Sequence, residues 1–310
     1  MSTSTQTRTQ SDPQTLAQNK PMQTSRMDRA TPVLMGLIPT LVVVGLIWIP
    51  ALFTVVLSFS SWDGVGALSG IEFIGWRNYV EATTVYPTFW PAIWHNVLWL
   101  LGLFLVFTPL GMFLAVLLDK EIRGSRFYQT SFYLPVVLSA ALIGFMWQLM
   151  YSRDQGFLNM LFGTQIDWYG DSAINIWAAI IATGWRHTGY VMLLYLAGLK
   201  GVDPALREAA QMDGASQVRT YLQIIFPVMR PINIIVMTIT FIEGLRAFDL
   251  AWVINRGRNG LELISTLVTA NVAGEASRIG FGSALATLML ILSSIFIIFQ
   301  LRVVTKGEGQ

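Results

Sequence analysis

The chain has 310 residues, of which 54% are hydrophobic and 12% charged, and its formal net charge is +2. Soluble domains carry about a quarter charged residues, so the composition excludes an ordinary soluble protein, and the small, dispersed charge gives no footing for nucleic acid. Cysteine is absent and His95 and His187 are the two histidines, which excludes disulfides and thiolate sites and argues against a His-rich metal centre.

Residues 1–32 are rich in Ser, Thr, Gln and Pro and poor in bulky apolar side chains. Such a stretch cannot bury enough surface to offset the entropy of ordering it, which predicts a disordered tail. Six apolar runs follow, at 33–59, 93–118, 129–151, 174–199, 222–245 and 281–304. Crossing the bilayer core takes about 20 such residues. The first run is too long for a signal-peptide core and no small-x-small cleavage site follows it, so it counts as a span. The fourth and fifth are less pure, carrying Arg186 with His187 and Arg230 with Glu243. The expected fold class is all-α integral membrane with six transmembrane helices.

Orientation follows from the loop cations. Twelve Lys and Arg fall in the tail, near 119–127, in 200–221 and at the C-terminus, against six in 60–92, 152–173 and 246–280. Both termini and the 200–221 loop are therefore expected in the cytoplasm. Trp48, Trp62, Trp76 and Trp90 fall near the outer boundary, where amphipathic rings settle.

The loop before the fifth run reads REAAQMDGASQVRTYLQIIFPVMRP over 207–231. Asp203 can cap a helix whose first position is Pro204. Leu206, Ala209, Ala210 and Asp213 share a face by i, i+3, i+4 spacing, and Gly214 suits the left-handed residue that ends a helix. Ala209 and Ala210 are expected to keep the exposed face thin, with Glu208 offering a carboxylate to a partner arginine. A second helical run from Ser216 leads to Pro227 and Pro231, which remove backbone donors and bend the chain. Taken alone, this is also the pattern of an amphipathic helix on a lipid surface.

The order Glu208-Ala209-Ala210, three residues, Gly214, then Ile224-Ile225-Phe226-Pro227 resembles the EAA loop of binding-protein-dependent ABC importer permeases. Phe226 stands where the family usually has Leu. The stretches 73–82, 126–151, 184–199 and 241–257 are similar to segments of the carbohydrate-uptake permeases related to the maltose and glycerol-phosphate systems, so the resemblance covers nearly all of the chain from residue 33 onward. Asn255 to Gly260 departs from that pattern, and its outer-loop contacts do not carry over. The resemblance implies a sugar-import permease in a bacterial plasma membrane. It would work with a second homologous permease, two cytoplasmic ATPase subunits and an extracytoplasmic solute-binding protein. Glu208, Ala209, Ala210, Asp213 and Gly214 would form the cytoplasmic coupling helix, docked on the ATPase through the 204–220 loop. The sequence has no G-x-x-x-x-G-K-[ST] loop, so ATP and Mg belong to the partner chain and no cofactor or catalysis is expected of this one.

Ionisable residues inside spans are functional candidates because they are costly in lipid. Arg186 and His187 lie in the fourth run and Glu243 in the fifth, followed by Arg246 and Asp249. Setting Trp185 and Phe248 on the matching family residues implies a substrate pocket at Thr183, Arg186, His187, Tyr190, Thr240, Glu243, Gly244 and Ala247. A structural Arg186–Glu243 pair is the competing expectation. A carrier or channel working without ATP remains the alternative function; a membrane enzyme is disfavoured, since neither H-E-x-x-H nor G-x-S-x-G occurs.

Overall fold

The computed structural model describes residues 26–65, 70–120, 123–274 and 277–307. It is helical: among the described residues there is no strand, and Ser60 and Phe73 form an isolated antiparallel bridge. The chain forms two units that divide after Leu52.

The first helix, α1 (Arg26–Val43), continues through a π-turn at Val44–Trp48 into α2 (Ile49–Leu57). It begins at Arg26, earlier than the boundary at 33, because extending an existing helix costs far less than starting one. The rest of the expected tail, residues 1–25, lies outside the described residues.

The second unit continues with α3 (Arg77–Thr84), α4 (Phe89–Gly102), a π-turn at Leu103–Phe107 and α5 (Thr108–Asp119). Then come α6 (Ser125–Val137), α7 (Ala140–Met150), α8 (Phe157–Phe162) and the long α9 (Asn175–Lys200). After it follow α10 (Pro204–Met212), α11 (Gln217–Thr220), a π-turn at Tyr221–Ile225, α12 (Phe226–Val228) and α13 (Arg230–Leu245). The chain ends with α14 (Asp249–Asn255), α15 (Ile264–Val272) and α16 (Ile279–Gly307).

Among the described residues, three helical runs are long and apolar enough to cross a membrane by themselves: Met35–Leu57, Phe89–Asp119 and Ile279–Arg302. Two bent pairs raise the number to five if each pair is one span. The run expected as a single third span is broken at Leu138-Ser139, where Ser125–Val137 meets Ala140–Met150 at 104°. Pro135 weakens the last turn of α6, and Ser139 adopts an extended conformation and caps α7 by accepting from the Leu142 amide at 3.2 Å. The fifth run bends by 80° between Gln217–Val228 and Arg230–Asn255, as Pro227 and Pro231 foretell. There the Asn233 side chain donates to the Phe226 carbonyl at 2.9 Å, satisfying an acceptor the bend leaves open.

The helix α9 occupies the centre. Sixteen of its 26 residues are buried, and it packs into two of the three hydrophobic clusters. One joins Trp99, Ile143, Trp147 and Tyr151 to Ile180 and Leu250; the other joins Ala115 and Leu118 to Val191, Tyr195 and Met229. Small residues let α5 press against it. A Cβ on Gly111 would lie 2.7 Å from the Thr188 carbonyl oxygen and 2.8 Å from the Val191 Cβ, so that contact admits glycine alone. The third cluster, with Phe89, Ile264, Phe281 and Leu285, packs α15 and α16 against α3 and α4.

Candidate functional site

Two of the expected regions are well formed. The first is a cleft of about 220 Å³ where α13 ends and α14 begins, walled by Trp99, Ala140, Thr183, Arg186, Glu243 and Phe248 among others. The chain breaks helix at Arg246–Phe248, and neighbouring side chains hold the break. Asn96 reaches the Gly244 and Leu245 carbonyls at 3.4 and 3.5 Å and accepts from the Ile264 amide at 2.9 Å. Ser265 donates to the Ala247 carbonyl.

Glu243 lies in the last turn of α13, where the helix dipole disfavours a carboxylate. Two cationic or donor groups of α9 offset this. The Arg186 guanidinium donates to Glu243 Oε1 at 3.2 Å and His187 Nδ1 to Glu243 Oε2 at 2.9 Å. His187 Nε2 is closed off by the Thr108 and Thr240 hydroxyls at 3.1 and 3.2 Å. Since the carboxylate can only accept, Nδ1 is the donor to Glu243, and Nε2 is left to the two hydroxyls. Asp249 opens α14, where the dipole favours it, and with Arg246 it stands exposed at the mouth of the cleft. Two arginines thus face two carboxylates.

Of the eight residues expected at the pocket, Thr183, Arg186, Glu243 and Ala247 line the cleft. His187 and Thr240 lie fully buried behind Glu243 as its support. Gly244 faces the other way: a Cβ there would meet the Leu100 Cγ at 3.0 Å. Tyr190 is half-buried and outside the cleft lining, one α9 turn beyond Arg186. The Thr183 hydroxyl is spent on the Ala179 carbonyl at 3.0 Å. Arg186 pairs with Glu243, as the structural expectation has it, and the pair is itself a wall of the cleft. Trp185 packs on Trp147, ring centroids 5.9 Å apart, and does not line it. Sequence reading missed Trp99, Ala140, Thr108 and Asn96. The polar Asn96 and Thr108 within an otherwise apolar run were the available signal. No group of residues suited to a metal occurs among the described residues.

The second region is the loop at α10. Asp203 accepts from the Ala205 amide at 2.9 Å, Pro204 takes the first helical position, and Gly214 at φ 71° closes the helix. Ser216 then caps α11 by accepting from the Arg219 amide at 3.3 Å. Glu208, Ala209, Asp213 and Gly214 are exposed. Ala210 is not: it is 1% exposed and sits with Leu206 on the inner stripe, one helical turn apart. Of the two alanines, Ala209 is the one on the outer face, because one residue of rotation, about 100°, separates it from Ala210.

Residues 107–307 match the family model described as binding-protein-dependent transport system inner membrane component. The chain belongs to this family. Among curated relatives of this permease family, it is 30% identical over 288 residues to a probable ABC transporter permease protein of Pyrococcus horikoshii, covering 89% of this chain and 96% of that one. It is 32% identical over 244 residues to the xylose/arabinose import permease protein of Haloferax volcanii, covering 76% of each. Among solved structures, a chain of a bacterial alginate ABC transporter in complex with an alginate pentasaccharide-bound periplasmic protein shares the fold, with TM-score 0.76, 19% identity, and coverage of 88% and 94%. The protein is thus a multi-pass, inner-membrane permease component of the ABC importer type.

Proposed function

We propose that this chain is the membrane-spanning subunit of an ATP-driven importer for a sugar or small saccharide. It pairs with a second homologous permease, receives substrate from an extracytoplasmic binding protein, and is driven by two cytoplasmic ATPase subunits that bind ATP and Mg. It crosses the membrane six times. The span that completes the six, fourth in chain order, is α9, whose 26 residues reach about 39 Å at ~1.5 Å per residue. Both termini and α10 lie in the cytoplasm, as the loop cations favour.

The single observation that carries the reading is α10 itself. It is a capped helix, closed by a left-handed glycine, that presents an exposed carboxylate beside an exposed alanine between two membrane segments. A helix resting on lipid would turn a broad apolar face outward, whereas α10 turns Leu206 and Ala210 inward and Glu208 and Asp213 outward. Glu208, Ala209, Asp213 and Gly214 form the docking face, with Ala210 packing beneath them. The cleft supplies the mixture a sugar requires: balanced charges from Arg186, Arg246, Glu243 and Asp249 for hydroxyl groups, and the Trp99 and Phe248 rings for apolar faces.

The test is co-purification. The tagged chain, expressed with its co-encoded neighbours, should bring an ATPase and a second permease through detergent, and Glu208→Lys should remove the ATPase while leaving the chain in the membrane. ATP hydrolysis by that complex, screened with the binding protein and a panel of pentoses, hexoses and disaccharides, then identifies the substrate. A chain that purifies alone, stable and intact, would move the ATP-independent carrier to the front.

A further inference from the structure

The run Phe89–Asp119 touches three levels of the molecule. Near its start, Trp99 lines the cleft. In its middle, the π-turn Leu103–Phe107 ends at Thr108, whose hydroxyl is bonded to His187 behind Glu243. At its end, the Asp119 carboxylate is ion-paired with Arg207, 2.6 Å from Nη1. Arg207 immediately precedes Glu208 in α10, so the docking helix is tied to the run Phe89–Asp119 by the residue next to its exposed carboxylate.

The surroundings make that tie matter. The Asp119 side chain is 9% exposed, so little water competes for it. Arg207 Nε is buried without a hydrogen-bond partner, and the ion pair through Nη1 with Asp119 is the guanidinium's anchor among the described residues. A groove of about 490 Å³ runs beside it, bordered by Met112, Phe113, Gln211 and Tyr221. On that side α10 and α11 are not packed tightly against α5; polar bonds hold them instead. The second of these, Lys120 to Gln217 at 2.8 Å, is exposed and weaker. Beyond the tie, α5 is clamped along α9 by the Gly111 contact, so a push on Asp119 displaces a stiff helix against the centre of the bundle.

We infer that Asp119 and Arg207 are positioning residues: their ion pair is the joint through which displacement of α10 enters the membrane helices, with α5 carrying it to the Thr108–His187 bond behind the cleft. This rests on the reading of α10 as the docking helix.

The chain has no cysteine, which allows a direct test in the assembled complex. Ala140→Cys places a single thiol in the cleft wall. Its rate of labelling by N-ethylmaleimide, read on this chain by mass, should change roughly tenfold on adding ATP, within the usual range of coupling between sites. Asp119→Asn or Arg207→Gln should shrink that change to less than about twofold while the ATPase stays bound and active. The exchange Asp119→Arg with Arg207→Asp should restore it, which a merely structural loss would not allow. A full ATP-dependent change in both single variants, or a charge exchange as unresponsive as either, would overturn the joint. Should the single variants fail to assemble, Asp119→Cys with Arg207→Cys, bridged by a short bifunctional thiol reagent, tests the joint without charge. With Ala140→Cys retained and the bridging reagent held to one equivalent, the bridged protein keeps the ATP-dependent change in labelling at position 140; loss of the response on bridging refutes the joint. Absence of the ATPase from the unsubstituted complex would instead refute the docking reading on which the joint rests.

Discussion

The helices α9 and α16 are of similar length, 26 and 29 residues, and differ in nearly everything else. The C-terminal half of α16 turns Leu290, Ile291, Leu292, Ile295, Ile298, Phe299 and Leu301 outward. It is apolar all round because its surroundings are. Sixteen residues of α9 are buried, and among them are Thr183, His187 and Thr188, with Arg186 beside them. Hydropathy therefore marks the helices that face an apolar solvent better than it marks the helix at the centre. A central helix meets other helices, which supply partners for polar groups and need small residues for close approach.

Three substitutions sharpen that contrast. Gly111→Val drives a branched side chain into the Thr188 carbonyl and Val191 on α9. Overpacking of this kind costs about 1–3 kcal/mol or more, and should appear as a large loss of monodisperse protein and a lowered melting temperature in detergent. Glu243→Gln leaves Arg186 and His187 without their carboxylate. Both ionic side chains are under a third exposed, and the expected cost is about 1–2 kcal/mol, between surface and buried pairs. Substrate-stimulated ATP hydrolysis should fall further than stability does, and equal loss of both would make the pair purely structural. On α16, Ile298→Ala should change stability by less than about 0.5 kcal/mol. A larger loss that appears in the assembled complex and not in the isolated chain would mean that the second permease covers this face.

The loop at α10 was legible in sequence because its signals are local. A capping Asp203, Pro204 and a left-handed Gly214 act within one helical turn, and all three hold. Ala210 was misplaced because periodicity puts 209 and 210 on neighbouring stripes without saying which one meets the core. The cleft was half legible. Arg186 and Glu243 stood out as charges in apolar runs, while Trp99 and Ala140 carry no such mark and join the cleft through folding alone.

By itself, the sequence determined the helical class, the positions of most long helices, the bend at Pro227 and Pro231, and the form of α10. These follow from chain-local physics: apolar length, missing backbone donors and caps. The tertiary structure decided that α6 and α7 meet at 104°, that α9 lies at the centre, that Gly244 faces Leu100, and that Asp119 holds Arg207. Those outcomes depend on which side chains far apart in the chain arrive at the same place, and packing fixes that only when all the helices are present.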